Sequence, residues 1–136
     1  MAHRFRELKV WKCAMQFIAD IYQFSQSFPH TEQYGLTSQI RHASTSIALN
    51  ITEGSGASSS KEFARFLNIA LRSTYEVMTA LEIARMLHYG EASRVDMLLD
   101  EADQLAAMIS TFSRKINTSS DMNVIREIQE LYDTNQ

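Results

Sequence analysis

The sequence predicts an all-α protein, an antiparallel up-down-up-down four-helix bundle followed by a short helical tail. Three observations favour this fold. Apolar residues recur every three and four positions over long segments, only one proline and four glycines interrupt the chain, and the connections between segments are short. Short connections make consecutive helices antiparallel neighbours. We therefore assign residues 1–117 to the bundle and residues 118–136 to an amphipathic C-terminal tail.

The predicted helices cover residues 5–27, 37–54, 60–89 and 93–117. The first ends before Pro29, because proline disfavours helical backbone in the residue that precedes it. The third ends next to Gly90, since glycine is the residue type that helix C-termini prefer. Ser93 and Asp96 resemble a capping box at the start of the fourth. These signals divide the chain into four long helices.

The composition excludes several classes of protein. Apolar residues make up 45% of the chain, too many for a disordered protein, and a single cysteine cannot form a disulfide framework. No apolar stretch reaches the roughly 18 residues of a membrane span. Gln16 and Asp20 interrupt the apolar segment that a signal peptide would need after the basic N-terminus. Because a lone Cys13 also fits a reducing compartment, we expect a cytoplasmic protein with no membrane partner.

The first helix carries more apolar surface than one bundle core needs. A core-facing stripe covers about a third of a helix, whereas this helix has two apolar faces with Trp11 between them. We interpret the excess as a contact with another copy of the chain, because large apolar patches usually mark interfaces. The candidate contact residues are Val10, Trp11, Phe17, Ile21, Phe24 and Phe28.

A second interpretation satisfies this apolar excess within one chain. The second face of the first helix comprises Phe5, Leu8, Met15, Ala19 and Tyr22. The C-terminal tail has apolar residues on one side, namely Met122, Ile125, Ile128 and Tyr132. Folded back along the first helix, the tail would cover the second face and leave no interface there.

The sequence has no recognisable metal-binding or nuclease pattern. A di-iron bundle needs Glu-x-x-His pairs on facing helices, and none of the four histidines has a glutamate three residues before it. Arg41-His42 and Arg85-x-x-His88 have the wrong spacing for the Arg-His motif of a helical nuclease. We therefore expect no enzyme, no metal or other cofactor, and no small-molecule substrate.

The second helix has an unusual polar pattern. Gln39, Ser46 and Glu53 recur every seven residues on one stripe, and Asn50 falls in phase with the apolar seam. A buried asparagine costs stability but can specify the register of helices. We interpret these four residues as a hydrogen-bonded structural network. The alternative is a contact with a polar ligand or with nucleic acid.

The net charge of −3 is unevenly distributed. Residues 1–75 carry eight Lys or Arg against five acidic residues, whereas residues 76–136 carry five against eleven. An acidic protein can therefore still present a basic patch to RNA or DNA. The candidate nucleic-acid contacts are Arg41, His42, Arg65 and Arg72.

Residues 36–54 resemble the signature of a known family. They read Leu-Thr-Ser-Gln-Ile-Arg-His-Ala-Ser-Thr-Ser-Ile-Ala-Leu-Asn-Ile-Thr-Glu-Gly. The bacterial four-helix-bundle proteins encoded in intervening sequences of large-subunit ribosomal RNA genes read Leu-Thr-x-Gln-x-Arg-Arg-Ala-x-x-Ser-Ile-x-x-Asn-Ile-Ala-Glu-Gly here. Further matches extend the resemblance over most of residues 5–90. The departures are His42 for Arg, Ala48 for Pro, Thr52 for Ala and Arg72 for Gly.

The resemblance implies a cytosolic, non-enzymatic protein that assembles as a closed ring, a homopentamer. It also implies kinship with the accessory proteins of diversity-generating retroelements, which bind a reverse transcriptase and nucleic acid. Our leading hypothesis is a non-catalytic oligomeric bundle that associates with RNA, DNA or a nucleoprotein partner. The alternative is a protein-interaction scaffold with no affinity for nucleic acid.

Overall fold

The computed structural model describes residues 4–117, which form four α-helices. They are α1 (Lys9–Ser25), α2 (Leu36–Ser55), α3 (Ser60–Met86) and α4 (Ala92–Asn117). Two short 3-10 turns, Arg4–Glu7 and His30–Glu32, precede α1 and α2. Within this range there is no β-strand, and the all-α prediction is confirmed. The predicted tail, residues 118–136, lies outside the described residues.

Contacts between helix ends give the direction of each helix. They are Arg41–Ser25 between α2 and α1, Gly54–Phe63 between α2 and α3, and Arg85–Asp96 between α3 and α4. In each pair the end of one helix meets the start of the next, so consecutive helices are antiparallel. The first helix also packs against the fourth, which closes the bundle.

All four helices turn an apolar seam toward one core. Phe63 of α3 and Phe112 of α4 meet edge to face, with ring centroids 5.7 Å apart. Farther along α3, Thr74 is fully buried, and its hydroxyl donates to the Ala70 carbonyl oxygen at 2.9 Å, so this polar group is satisfied. The periodic seams predicted for the third and fourth helices are buried, including Leu67, Val77, Leu81, Leu98, Leu105 and Ile109.

The structure corrects the interpretation of the first helix. Five of its six candidate contact residues lie inside the single chain, each no more than 7% exposed: Val10, Phe17, Ile21, Phe24 and Phe28. The sixth, Trp11, is half-buried and packs edge-on against Phe5 at 5.5 Å. Because α2 and α4 of the same chain pack against α1, this seam is unavailable to a second copy.

The second apolar face predicted for the first helix, which begins in the turn before α1, is only partly covered. Leu8 is buried and Phe5 is half-buried against the bundle. Met15 and Tyr22 stay 43% and 38% exposed, and Ala19 between them is exposed as well. The apolar excess of the first helix is therefore smaller than the sequence indicates, but it does not vanish within the described residues.

The third helix ends three residues earlier than predicted, at Met86. The His88 amide donates to the Arg85 carbonyl oxygen and the Tyr89 amide donates to that of Ala84, which is the Schellman pattern. The left-handed position of this motif is occupied by His88, at φ +61°, and not by Gly90. Gly90 has a positive φ too, and a Cβ there would meet the Phe24 ring, so glycine serves the following turn.

Replacing His88 by glycine is expected to stabilise the protein. A side chain in the left-handed region costs about 1–2 kcal/mol, whereas the extra freedom that glycine gives the unfolded chain costs up to about 1 kcal/mol. We expect His88→Gly to raise the melting temperature by a few degrees in a thermal unfolding experiment. The control is His88→Ala, which keeps the Cβ. An equal gain for alanine would show that the imidazole, and not the backbone, is the unfavourable element.

The fourth helix begins without the predicted capping box. The Glu91 carbonyl oxygen accepts the amides of Arg94 and Val95, so Ser93 already lies within the first turn. The carboxylate of Asp96 instead pairs with Arg85 of α3, which Glu82 also contacts. Asp96 therefore contributes to the α3–α4 connection and does not cap the helix.

Candidate interaction face of α2 and α3

An open groove of about 790 Å³ runs between the first half of α2 and the second half of α3. We call it the α2–α3 groove. Its lining residues are Glu32, Gly35, Leu36, Gln39, Ala43, Arg72, Tyr75, Glu76, Thr79, Ala80, Ile83 and Leu87. Most of the lining surface is apolar, and a few polar groups stand on the rim. A concave apolar surface with a few placed polar groups is the usual form of a binding site.

Small residues create the depression and larger ones border it. Ala43 and Ala80 are nearly buried, at 4% and 7% exposure. Tyr75, Ile83 and Leu87 remain 50%, 36% and 43% exposed around them. Exposed large apolar residues gathered at one concavity differ from scattered ones, because together they form a patch that a partner can cover.

One end of the groove is held by Glu32. Its carboxylate accepts the Leu36 amide at 3.0 Å, at the start of α2, and the Tyr89 hydroxyl at 2.8 Å, beyond the end of α3. The Leu36 amide, followed by the Tyr89 hydroxyl, lowers the pKa of the Glu32 carboxyl, because both donors favour the ionised form. The same contact raises the pKa of Tyr89. Glu32 thus ties the two helix ends that border the groove.

We expect Glu32→Gln to remove a pH-dependent part of the stability. A carboxyl whose pKa is lower in the folded state stabilises that state above its ordinary pKa, near 4.5, and stops doing so as the pH falls through the folded value. The wild type should therefore be more stable than the variant at neutral pH, and the difference should disappear in acid. Chemical denaturation over a pH series measures it. Tyr89→Phe removes one of the two donors and should give part of the effect. A difference that is constant with pH would contradict this account.

A polar network lies on the same face, beyond the groove. The Asn50 side-chain amide donates to the Ser46 carbonyl oxygen at 2.8 Å and to the Ser46 hydroxyl at 3.0 Å. The Ser46 hydroxyl in turn lies 2.9 Å from the Ser73 hydroxyl of α3. Of the four predicted network residues, the structure therefore joins Ser46 and Asn50 and adds Ser73. Gln39 and Glu53 are exposed, and Gln39 lines the groove.

The candidate nucleic-acid residues do not form one patch. Arg41 is occupied within the chain: its Nε donates to the Ser25 hydroxyl at 2.7 Å, and its guanidinium stacks 4.8 Å from the Tyr22 ring centroid. Arg65 pairs with Glu62 at 2.7 Å, where the start of α3 faces the end of α4. The other two candidates, His42 and Arg72, are exposed, and Arg72 lines the groove.

The α2–α3 groove was not among the sites predicted from the sequence. Ala43 and Ala80 have the helical spacing of ordinary core positions, so nothing marks them as the floor of a depression. The signal that could have indicated the groove is the pair Ile83 and Leu87. These apolar residues lie outside the core-facing seam of the third helix, which other residues already fill.

Among residues 4–117 the structure has no group of three or more His, Cys, Asp or Glu side chains suited to a metal ion. No helix in that range is long and apolar enough to span a membrane.

These features define a class of protein: an antiparallel four-helix bundle whose second and third helices share an apolar groove and a small polar network. A family model described as 23S rRNA-intervening sequence protein matches residues 6–111. The chain belongs to this family.

A solved structure has the same fold. It is described as a protein with unknown function from the S23 ribosomal protein family of Bacteroides thetaiotaomicron. The TM-score is 0.71 at 22% sequence identity, and the match covers 76% of this chain and 97% of that one. At this identity the likeness shows the fold alone. A comparison with curated proteins found no match.

Proposed function

We propose that the protein is a non-catalytic, cytoplasmic subunit of a homo-oligomer and that it acts through protein contacts on its α2–α3 face. The observation that carries the proposal is the α2–α3 groove, which places exposed Tyr75, Ile83 and Leu87 around a floor of alanines. Leaving these side chains in water forgoes the free energy of burying them, about 25 cal/mol per Å² of apolar surface. A second protein surface is the partner that this face fits.

The resemblance of residues 36–54 to the family signature supports a closed ring and, more specifically, a pentamer. The signature segment is α2, the helix that forms one wall of the groove. Kinship with the accessory proteins of diversity-generating retroelements stays a prediction from the sequence.

Light scattering coupled to size-exclusion chromatography tests the assembly. We expect a mass near five times the chain mass of 15.5 kDa. A monomeric mass at every concentration would contradict the proposal, and another multiple would contradict the pentamer only.

A second candidate function is association with nucleic acid, which exposed Arg72 supports, together with Arg65 two turns earlier on α3. Because Arg41 is engaged with α1 and Arg65 is paired with Glu62, this candidate rests chiefly on exposed Arg72 and His42. Phosphate contacts release counterions, so true binding weakens steeply with salt.

Titration of RNA and DNA at two salt concentrations tests this candidate. If it is correct, binding falls with salt, and Arg72→Ala weakens it more than the control Arg114→Ala on α4. Absence of salt-dependent binding would leave a protein-interaction scaffold as the function.

A further inference from the structure

We infer that the assembly forms head to tail, with the exposed stripe of α1 from one copy seated in the α2–α3 groove of the next. The α1 stripe consists of Met15, Ala19 and Tyr22. This inference rests on the proposed self-association and names the two surfaces that would carry it. A second copy of the chain would then cover the apolar surface of the first helix that remains exposed.

The two surfaces have complementary shapes. The stripe residues are spaced by four and three positions, which places them in a row on one side of a helix, as in peptides that bind as a helix in a groove. Ala19 at its centre lets the helix approach closely, while Met15 and Tyr22 project on either side. The groove has the opposite relief, since alanines form its floor and Ile83 and Leu87 border it.

Charge favours the same pairing. Two cations flank the stripe: exposed Lys12, one turn before Met15, and Arg41 of α2, whose guanidinium stacks on the Tyr22 ring. Asp20 on the other flank is largely covered, and its carboxylate accepts the Gln16 amide and faces Arg94 of α4. The groove is lined by two carboxylates, Glu32 and Glu76, against one guanidinium. A basic stripe therefore meets a mildly acidic groove, an arrangement that sets orientation more than affinity.

The positions of the two surfaces determine the symmetry. The groove is bordered by α2 and α3, whereas the stripe lies on α1, which packs against α2 and α4. The contact thus joins two different patches, and a heterologous contact of this kind builds a ring when its rotation closes. A groove-to-groove contact would instead be two-fold and would stop at a dimer.

Two blocking variants test the arrangement. Met15→Glu disables the stripe and Ile83→Glu disables the groove, and both positions are exposed enough for the bundle to tolerate a carboxylate. Light scattering should give a monomer for each, with unchanged helical circular dichroism. The matched control is Met97→Glu, at an exposed methionine of α4 outside both surfaces, and it should keep the wild-type mass. Retention of that mass by Met15→Glu would overturn the inference.

Crosslinking separates the head-to-tail contact from a two-fold one. In a Cys13→Ser background, Met15→Cys and Ile83→Cys are each made alone and then together in one chain. With a short thiol crosslinker, the double variant should give a ladder of covalent oligomers, and each single variant should stay monomeric on a denaturing gel. Efficient dimers from Ile83→Cys alone would show a groove-to-groove contact. An assembled wild type that gives no ladder would overturn only this inference, whereas a monomeric wild type would contradict the proposed function itself.

Discussion

Phe17→Asp is expected to unfold the chain and not merely to separate subunits. Phe17 is 2% exposed in the core of the single bundle. Losing a buried phenylalanine costs about 3–5 kcal/mol, and placing a carboxylate there without a partner adds a few kcal/mol more. Since small domains have only about 5–15 kcal/mol of stability, most of the population should be unfolded. Far-ultraviolet circular dichroism measures the loss of helix.

The contrast with Met15→Asp makes this result informative. Met15 lies two positions before Phe17 on α1 but is 43% exposed, so the same charge there should leave the helical signal and the cooperative transition intact. If Phe17→Asp were folded, helical and reduced in mass, the seam that contains Phe17 would be the subunit contact after all.

Gly54→Val is the substitution with the second-largest expected effect. A Cβ at residue 54 would lie 2.9 Å from Cδ1 of Phe63 and 3.2 Å from its carbonyl oxygen, because α2 and α3 approach closely there. Phe63 is 1% exposed and packs on Phe112, so its ring has little room to move. Overpacking of this kind costs about 1–3 kcal/mol, and the two methyl groups of valine place the cost near the top of that range. Chemical denaturation followed by circular dichroism gives the change.

A nearby glycine provides the control. A Cβ at Gly56 would find its nearest neighbour, the Glu53 carbonyl oxygen, at an ordinary 3.7 Å, and its φ of −92° is open to any residue. Gly56→Ala should therefore change the free energy of unfolding by no more than about 0.5 kcal/mol. A similar loss for both variants would mean that the whole loop, and not the close crossing of α2 and α3, is sensitive.

Much of the fold could be predicted because apolar periodicity is a local property. The seams of α3 and α4 repeat every three and four residues and are buried as predicted, and the helix bounds agree within a few residues. The ends were less predictable. The sequence indicates a glycine cap at Gly90 for α3. In the structure His88 occupies the left-handed position of the Schellman motif, although a side chain is unfavourable there. Ser93 and Asp96 have the spacing of a capping box, yet Asp96 finds a stronger partner in Arg85.

The candidate site was less predictable than the fold. The phase of Asn50 predicts that it lies in or beside the apolar seam; in the structure its side-chain amide bonds to Ser46 of the same helix, and the further link from Ser46 to Ser73 depends on how α2 meets α3. Arg41 was predicted to contact nucleic acid because of its charge. In the structure it instead donates to the Ser25 hydroxyl and stacks on the ring of Tyr22. A charge count cannot distinguish a free arginine from an engaged one.

By itself the sequence determined the all-α class, the four helices and the residues that share each face, since all of these follow from helical periodicity. Only the tertiary structure decided which faces of the helices are buried in the bundle and which stay exposed. It buried Val10 and Phe24 inside one chain, left Met15 and Tyr22 outside, and opened a groove over Ala43 and Ala80. The physical reason is that burial depends on the distance and angle between helices that are far apart along the chain. The spacing of residues along one helix does not specify these quantities.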